Sequence, residues 1–366
     1  MTQTAAIHSF HHAYLSDKEA QYINQMTISD LEAIRLVLDG DSVIDWFRLD
    51  FSSDEQIELF LRVNGYDITQ IQDIKRIDRL RREAIAYLDL NYPHRLPAEL
   101  RETDIPIQKL FYWASGSSRR SKIQMFACMV LKIMHTLNHI DARELMHRCE
   151  FRASELYIAV EKKVEDAIVT MQNEGFHIVD FYGSHKDKFS MVTKLISKKE
   201  NHAAAIYDKI RFRIITLTVS DILPMLYYLG RTICPFNYVI PGSSHNSLIP
   251  FPDLLSHFSR FAHYAAYLRK TSLPSGNIKN NPNQFSDPGY KVINIVSDVP
   301  IRVDELLYTP DFAELGRIIF VPVEFQIMDQ ETYHSNEAGN SNHKKYKQRQ
   351  SEAVNIRLGI HLTDND

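Results

Sequence analysis

The sequence is poor in cysteine and contains no long apolar run. Its three cysteines, Cys128, Cys149 and Cys234, are odd in number and show no paired spacing, which argues against a disulfide framework or a zinc knuckle. No apolar run is long enough to span a bilayer, and no basic-then-apolar start indicates a signal peptide. The formal net charge of −4 argues against a general nucleic-acid coat. We therefore expect a cytoplasmic protein that makes no contact with a membrane.

The pattern of the sequence changes near residue 150. From Ser16 to Gly175 the spacing of apolar residues predicts helices almost throughout, with little glycine or proline inside the periodic segments. After Gly175 short apolar strands alternate with helices. The 366 residues allow about two domains. We predict an α+β protein with an all-helical domain over residues 1–150, followed by a mixed β-sheet flanked by helices over residues 151–366.

Capping residues and periodicity set the boundaries of the predicted elements. Ser53 can cap a helix over 55–63 that ends at Asn64 and Gly65, and Ser154 can cap the next helix after residue 150. Helical periodicity predicts further helices over 71–90, 122–145, 221–229, 254–268 and 329–349. Alternating or short apolar runs predict strands over 177–182, 210–217, 236–240, 290–296, 317–327 and 353–362.

Three histidines and an aspartate lie on the predicted helix over 122–145 or just beyond it. His135 and His139 are one turn apart, Asp141 is close by and His147 follows. This spacing is compatible with a metal site. We interpret these residues instead as polar groups on the solvated face of the helix.

A basic helix face precedes an acidic residue at the start of a strand. Lys186, Ser190 and Lys194 recur every four residues, so on a helix two ammonium groups and a hydroxyl share one face. Asp208 then comes just before a predicted strand that carries Arg213. A phosphate clamp beside a metal-binding aspartate is one interpretation of this stretch. A solvated basic helix face is the other, and the spacing alone leaves both open.

Five short motifs between residues 183 and 347 resemble the synthetase domain of RelA/SpoT-type proteins. Any one of them is a weak signal, but five in the family's order make a good one. The matching residues are Lys186, Ser190 and Lys194; Asp208 and Arg213; Gly289 and Tyr290; Glu324, Gln326 and Ile327; and His343, Tyr346 and Lys347. The resemblance implies a nucleotidyltransferase-like fold. It also implies an ATP-dependent pyrophosphokinase that makes an alarmone from a guanosine nucleotide, or modifies the 3′ end of an RNA such as tRNA.

The resemblance assigns the donor side of the site. Lys186, Ser190 and Lys194 would bind the ATP phosphates, and Arg213 would stack on the adenine. The catalytic pair and metal ligands would be Asp208 and Glu324, with Mg²⁺ as the cofactor. Glu324 would bind the metal ion or take the proton from the acceptor hydroxyl.

The acceptor side is assigned in the same way. Tyr290 would stack on the acceptor base, although an ordinary aromatic in a sheet explains it equally well. Gln326, which shares a sheet face with Glu324, would also bind the acceptor. His343, Tyr346 and Lys347 would contact the acceptor phosphates from the last helix, and a solvated basic face is the alternative.

Several departures from the family pattern concern the site itself. Ser184 stands where the family has an arginine, Arg211 where it has a glycine, Asn237 where it has an aspartate, and Asn294 where it has a histidine. An insertion around residues 241–288 also rebuilds the acceptor side. The alternative function is therefore a catalytically inactive nucleotide-sensing or interaction module with the same fold. The sequence predicts no oligomeric state.

Overall fold

The computed structural model describes residues 15–41, 49–93, 95–102, 105–116, 121–149, 151–198, 210–271, 289–304, 314–338 and 343–360, with only the backbone at 153, 198 and 343–346. Helices fill the described part of the chain before the sheet. They are α1 Asp17–Gln25, α2 Ile28–Asp39, α3 Asp54–Val63, α4 Ile71–Asn91, α5 Ile107–Ala114, α6 Lys122–Arg148 and α7 Ala153–Asn173. Within these residues no helix is both long and apolar enough to cross a membrane.

The second half of the chain forms a five-stranded mixed sheet with helices around it. Its elements are β1 Ile178–His185, α8 Lys188–Lys198, β2 Ile210–Thr216, α9 Ile222–Thr232, β3 His245–Asn246, α10 Phe251–Ser256, α11 Ala262–Lys270, β4 Ile293–Arg302, β5 Ile318–Asp329, α12 Gln330–Ala338 and α13 His343–Arg357. The strand order is β1-β2-β5-β4-β3. Strands β2 and β5 are parallel, and the other neighbouring pairs are antiparallel. The predicted α+β fold, with helices followed by a mixed sheet, is confirmed.

Caps fix the ends of the helices, as the sequence predicts at α3. The Ser53 hydroxyl accepts a hydrogen bond from the Gln56 amide at 3.4 Å, which satisfies one of the free amides of the first turn. Gly65, with a φ of 93°, follows the end of α3, a conformation that suits glycine. At α7 the N-cap is Arg152 rather than the predicted Ser154.

One face of the sheet packs into a large apolar core. Ile210, Phe212 and Ile214 alternate along β2 and are all buried, as predicted. The Phe212 ring stacks between Phe181 of β1, at 5.6 Å, and Phe325 of β5, at 6.0 Å between ring centroids. Residues of α1, α2, α7 and α9 belong to the same core. Helices from before residue 150 therefore cover the sheet together with helices from after it.

A second apolar core lies among α3, α4, α5 and α6. Ile318 and Phe320, at the start of β5, belong to this helical core rather than to the core beneath the sheet. Tyr238 joins them, and its ring centroid lies 4.2 Å from that of Phe320. Strand β5 therefore runs from the helical core at its beginning to the centre of the sheet.

Two predicted strands are wrong. Residues 236–240 contain a 3-10 turn, Phe236–Tyr238, and only Val239 forms an isolated bridge, to Ser297. Tyr238 and Val239 of this segment are buried, and Tyr238 packs into the helical core. The predicted strand over 353–362 begins inside α13, which continues to Arg357, while residues 361 and 362 lie outside the described part.

Other boundaries differ from the predictions by smaller amounts. The helix over 254–268 is divided into α10 and α11 by the turn Ser259–Phe261, where Phe258 and Phe261 both turn into the core. The predicted helix over 329–349 is α12 and the beginning of α13, and 339–342 lie outside the described residues. Strand β4 begins at Ile293 and not at Tyr290.

The interpretation of the α6 histidines as a solvated face is wrong for His135 and His139, whereas His147 is exposed. The His135 ring lies 4.3 Å from that of Tyr238, and the His139 Nε2 lies 2.9 Å from an Asp298 carboxylate oxygen on β4. Asp141 accepts a hydrogen bond from Arg76 at 2.6 Å. These side chains join α6 to the rest of the protein, and they do not converge on one point as metal ligands would.

Candidate functional site

A row of polar residues crosses all five strands on one face of the sheet. Strand register pairs Tyr182 with Arg213, Arg213 with Gln326, Gln326 with Asn294, and Asn294 with His245. Side chains of directly paired residues point to the same face of a sheet. These five residues, which we name the first row, therefore lie side by side above the sheet.

A second row lies two residues further along the strands. It contains Ser184 on β1, Arg211 on β2, Glu324 on β5 and Val296 on β4, each paired with the next. Because side chains alternate between the faces of a strand, this row lies on the same face as the first. The sequence predicted a shared face for Glu324 and Gln326, and the register confirms it.

Glu324 is the buried carboxylate at the centre of the second row. Its Oε2 accepts a hydrogen bond from Arg211 Nε at 2.9 Å, and its Oε1 accepts one from Gln326 Nε2 at 3.2 Å. Burial alone would raise the pKa of this carboxyl, but the charges of Arg211, Lys186 and Lys194 outweigh it and lower the pKa. Glu324 is therefore ionised and surrounded by cations.

Lys186 and Lys194 flank this carboxylate from the β1–α8 connection and from α8. Lys186 precedes the helix, so it does not share a helix face with Ser190 as the spacing predicted. The Ser190 hydroxyl donates to the Asp187 carboxylate at 2.8 Å, which caps α8. We name Lys186, Lys194, Arg211 and Glu324 the Glu324 cluster. Two cations, Lys194 and Arg211, and the Lys186 amine around one carboxylate form a site suited to an anion.

The pKa of Lys186 shows how crowded with positive charge this cluster is. Burial, together with the neighbouring charges of Arg211 and Lys194, lowers that pKa from 10.5 to about 6. Glu324 acts in the opposite direction with a smaller effect. The Lys186 amine is thus mostly neutral near neutral pH. A bound phosphate would restore its charge.

Arg213 is held by three elements around the first row. Its Nη1 donates to the Tyr182 hydroxyl at 2.6 Å and its Nη2 donates to Gln326 Oε1 at 3.1 Å. Its guanidinium carbon lies 5.3 Å from the Tyr182 ring centroid, and Glu337 of α12 is 3.8 Å away. The arginine predicted to stack on adenine is therefore rigidly placed, with one aromatic contact already made.

Tyr290 lies beside both rows, just before β4. Its backbone carbonyl accepts a hydrogen bond from the Ser247 hydroxyl at 3.2 Å. Burial raises the pKa of its hydroxyl, while the charges of Arg213 and Arg211 lower it. These electrostatic neighbours place the predicted acceptor-side tyrosine next to the cations of β2.

His245 was missed by the sequence reasoning, although it ends the first row. Both of its ring nitrogens are buried, as is the side-chain oxygen of Asn294, and none has a hydrogen-bond partner among the described residues. Burial lowers the pKa of His245, which keeps the imidazole neutral. The sequence signal for it was Asn294, which stands where the RelA/SpoT-type pattern has a histidine, because His245 pairs with Asn294 from the adjacent strand.

The remaining predicted residues are only partly described. Asp208 lies outside the described residues, as do the side chains of His343 and Tyr346. Lys347 is exposed on α13. Helix α13 packs on α8, where the Gln350 side chain donates to the Ser197 hydroxyl at 3.3 Å. The basic last helix therefore neighbours the helix that carries Lys194.

The described residues around Glu324 do not by themselves make a metal site. Both carboxylate oxygens accept hydrogen bonds, and the surrounding cations favour an anion. Elsewhere, ligand atoms of Glu19, His177 and Asp221 lie within 4.8 Å of one another. There the Glu19 carboxylate accepts from the Ser16 and His177 amides at 2.9 and 3.1 Å. These bonds join α1 to the start of β1, so hydrogen bonding explains the group without a metal ion.

Comparison with known proteins gives distant structural similarities. No protein-family model matches the chain, and no curated protein matches it. Small alarmone synthetase 1 from Bacillus subtilis is similar at 16% identity and a TM-score of 0.26, over 60% of this chain and 88% of that one. For small alarmone synthetase 2 from Bacillus subtilis the values are 15%, 0.29, 58% and 94%. For a GTP pyrophosphokinase family protein from Streptococcus pneumoniae they are 15%, 0.27, 56% and 85%. Scores this low carry no argument about function.

Proposed function

We propose that the two polar rows form the active site of an ATP-dependent pyrophosphokinase, which transfers pyrophosphate from ATP to the 3′-hydroxyl of a guanosine nucleotide. The observation that carries this proposal is the gathering of Lys186, Lys194 and Arg211 around the buried carboxylate of Glu324. A triphosphate needs such cations, and an attacking hydroxyl needs a nearby base. We place the proposed activity in the cytoplasm because none of the three cysteines, all of which the structure describes, forms a disulfide bond.

The ATP phosphates bind to the Glu324 cluster in this proposal. Lys194 and Arg211 contact the phosphate oxygens, and Lys186 regains its proton as the polyanion arrives. Ser190 adds a hydroxyl one turn before Lys194, and Arg213 stacks on the adenine. Asp208 and Glu324 are the residues that would hold Mg²⁺, which neutralises phosphate oxygens when it is bound.

The acceptor binds at the other end of the rows. Tyr290 stacks on its base, while His245 and Asn294 offer hydrogen-bonding atoms that have no partner among the described residues. Gln326 lies between them and Glu324. Helix α13 supplies His343, Tyr346 and Lys347 to the acceptor phosphates, as the family resemblance implies.

The chemistry follows from the salt bridge between Arg211 and Glu324. In the free protein Arg211 holds the pKa of Glu324 low. The ATP phosphates give Arg211 a second anionic partner, which weakens its hold and makes the carboxylate a better base. Glu324 then accepts the 3′-hydroxyl proton while the 3′-oxygen bonds to the β-phosphorus of ATP. The bond from that phosphorus to the α,β-bridging oxygen breaks, and AMP leaves.

The direct test is a transfer assay with γ-labelled ATP, Mg²⁺ and a panel of acceptors that includes GDP, GTP, other nucleotides and tRNA. We expect label on a guanosine nucleotide, with AMP formed in equal amount. If only tRNA is labelled, the acceptor is an RNA 3′ end and not a free guanosine nucleotide. The proposal fails if no acceptor is labelled and Asp208→Ala behaves like the parent protein.

A nucleotide-sensing module without turnover is the second candidate. Arg211 occupies a position where the family has glycine, and its 2.9 Å hydrogen bond to Glu324 engages the proposed base. A permanent pair would bind phosphate without activating a hydroxyl. Calorimetry that shows tight ATP or guanosine-nucleotide binding, with no product in the transfer assay, would favour this candidate.

A further inference from the structure

A cavity of about 770 Å³ lies among α2, α3, α6 and α9. None of the residues in the two polar rows lines it, so it is separate from the proposed active site. Sites for small molecules typically enclose roughly 300–1,000 Å³, lined by apolar groups with a few converging polar ones. Most of the wall is apolar, and it includes Phe60, Phe111, Met125, Met129 and Phe236.

Three polar residues in the wall form one hydrogen-bonded chain. The Asn237 Nδ2 donates to Asn64 Oδ1 at 2.7 Å, and it lies 3.3 Å from His135 Nδ1. All three residues line the cavity. The Asn237 Oδ1 is buried and has no hydrogen-bond partner among the described residues. An unpaired buried carbonyl costs free energy unless a ligand or water supplies a donor.

A second hydrogen-bonded chain lines the same wall. The Tyr66 hydroxyl donates to Asn138 Oδ1 at 2.7 Å, and the Asn138 Nδ2 donates to the Tyr238 hydroxyl at 3.0 Å. Burial raises the pKa of both tyrosines and lowers that of His135 to about 4. Asp30, Asp50, Lys132 and Arg231 line other parts of the cavity, but this polar part of the wall is uncharged. We name it the Asn237 cluster: Asn64, Tyr66, His135, Asn138, Asn237 and Tyr238.

We propose that this cavity binds an uncharged, mainly apolar small molecule of the aromatic alcohol or amine class, which donates one N–H or O–H to Asn237 Oδ1. The Asn237 cluster cannot compensate an ionised group, so a charged group placed against it would lose its hydration without gaining a partner there. A purely apolar ligand would leave the Asn237 oxygen unpaired. The volume and the single unpaired acceptor together define the class.

Fluorescence titration with 1-aminoanthracene, an uncharged aromatic amine, tests the proposal. We expect one saturable site per chain. Ala33 of α2 lines the cavity, so Ala33→Phe places a ring inside it and weakens the saturable binding. The matched control is Ala86→Phe, which places the same ring on the exposed face of α4 and leaves binding unchanged. Asn237→Leu removes the acceptor and weakens binding by about threefold to tenfold.

The outcome that overturns the proposal is equally specific. Binding that does not saturate, or that Ala33→Phe leaves as tight as in the parent protein, shows that the probe lies elsewhere. Circular dichroism first establishes that each variant is folded. If Ala33→Phe does not fold, Met129→Trp, on another wall of the cavity, carries the same expectation. If Asn237→Leu leaves binding unchanged, the probe binds in an apolar cavity without donating a hydrogen bond to Asn237, and the proposed ligand class is refuted.

Discussion

The Glu324 cluster and the Asn237 cluster are both buried, yet one is charged and the other is neutral. In the Glu324 cluster, cations lower the pKa of the carboxyl although burial opposes them, so charge is retained. In the Asn237 cluster, burial lowers the pKa of His135 and no neighbouring charge raises it, so His135 stays unprotonated. The neighbours of a buried group, more than burial itself, therefore decide which ligand it can bind.

The largest expected effect comes from Glu324, the proposed general base of the Glu324 cluster. Glu324→Gln keeps the shape of the side chain and removes its charge, so we expect transfer to fall by about 100-fold or more while ATP binding is largely retained. Single-turnover kinetics and calorimetry measure the two quantities. Glu331→Gln, the same change at an exposed position of α12, is the control. Unchanged turnover in Glu324→Gln would show that the active site does not lie in the two polar rows.

Lys194→Ala separates phosphate binding from chemistry. It removes a cation that contacts phosphate before the reaction begins, so ATP affinity should fall by about tenfold to hundredfold. Calorimetry with a non-hydrolysable ATP analogue measures this loss. Lys188→Ala, at an exposed position of the same helix, should bind as the parent protein does. Equal losses in both variants would indicate only a general charge effect.

His245 should affect the acceptor and not the donor. His245→Leu removes both unpartnered ring nitrogens, and we expect KM for the acceptor to rise by about tenfold with ATP affinity unchanged. His245→Gln, which keeps a donor and an acceptor, should recover part of the loss. A change in ATP affinity instead would place His245 on the donor side.

Lys186 makes nucleotide binding depend on pH. Its pKa is about 6 in the free protein, and a bound phosphate raises it, so ATP binding near neutral pH should take up a proton. Calorimetry in buffers of different ionisation enthalpy counts that proton, and Lys186→Met should abolish it. In the folded protein this depressed pKa also makes stability rise with pH between about 6 and 10.5. No proton uptake would mean that the amine is already charged.

The smallest effect concerns the neutral cluster. The pKa of His135 falls from 6.5 to about 4 on folding, so the unfolded chain binds a proton that the folded protein does not. Stability should therefore decrease as the pH falls from 6.5 towards 4. Chemical denaturation along this range tests it, and His135→Gln should flatten the slope. The same slope in both proteins would assign it to other groups.

The sequence predicted the elements better than it predicted their neighbours. Apolar alternation located β2 and most of β5 because each strand buries one face. The bond between Arg211 and Glu324 joins residues 113 positions apart, and only the register of the sheet reveals it. His245 was missed for the same reason, because only its pairing with Asn294 on the neighbouring strand brings it to the site. Tertiary packing also overrode the local sequence pattern around Tyr238. The apolar run there predicted a strand, but the segment contains a 3-10 turn, and Tyr238 packs in the helical core.

Strand β5 reaches both clusters. Phe320 packs against Tyr238 in the wall of the cavity, and Glu324 lies four residues further along the same strand, about 13 Å away. A cavity ligand that shifted β5 along its axis would change the free energy of ATP binding. Thermodynamic linkage then requires ATP to change the affinity of the cavity for its ligand by the same factor. The strand would act as a two-way coupling element, in which each site reports the occupancy of the other.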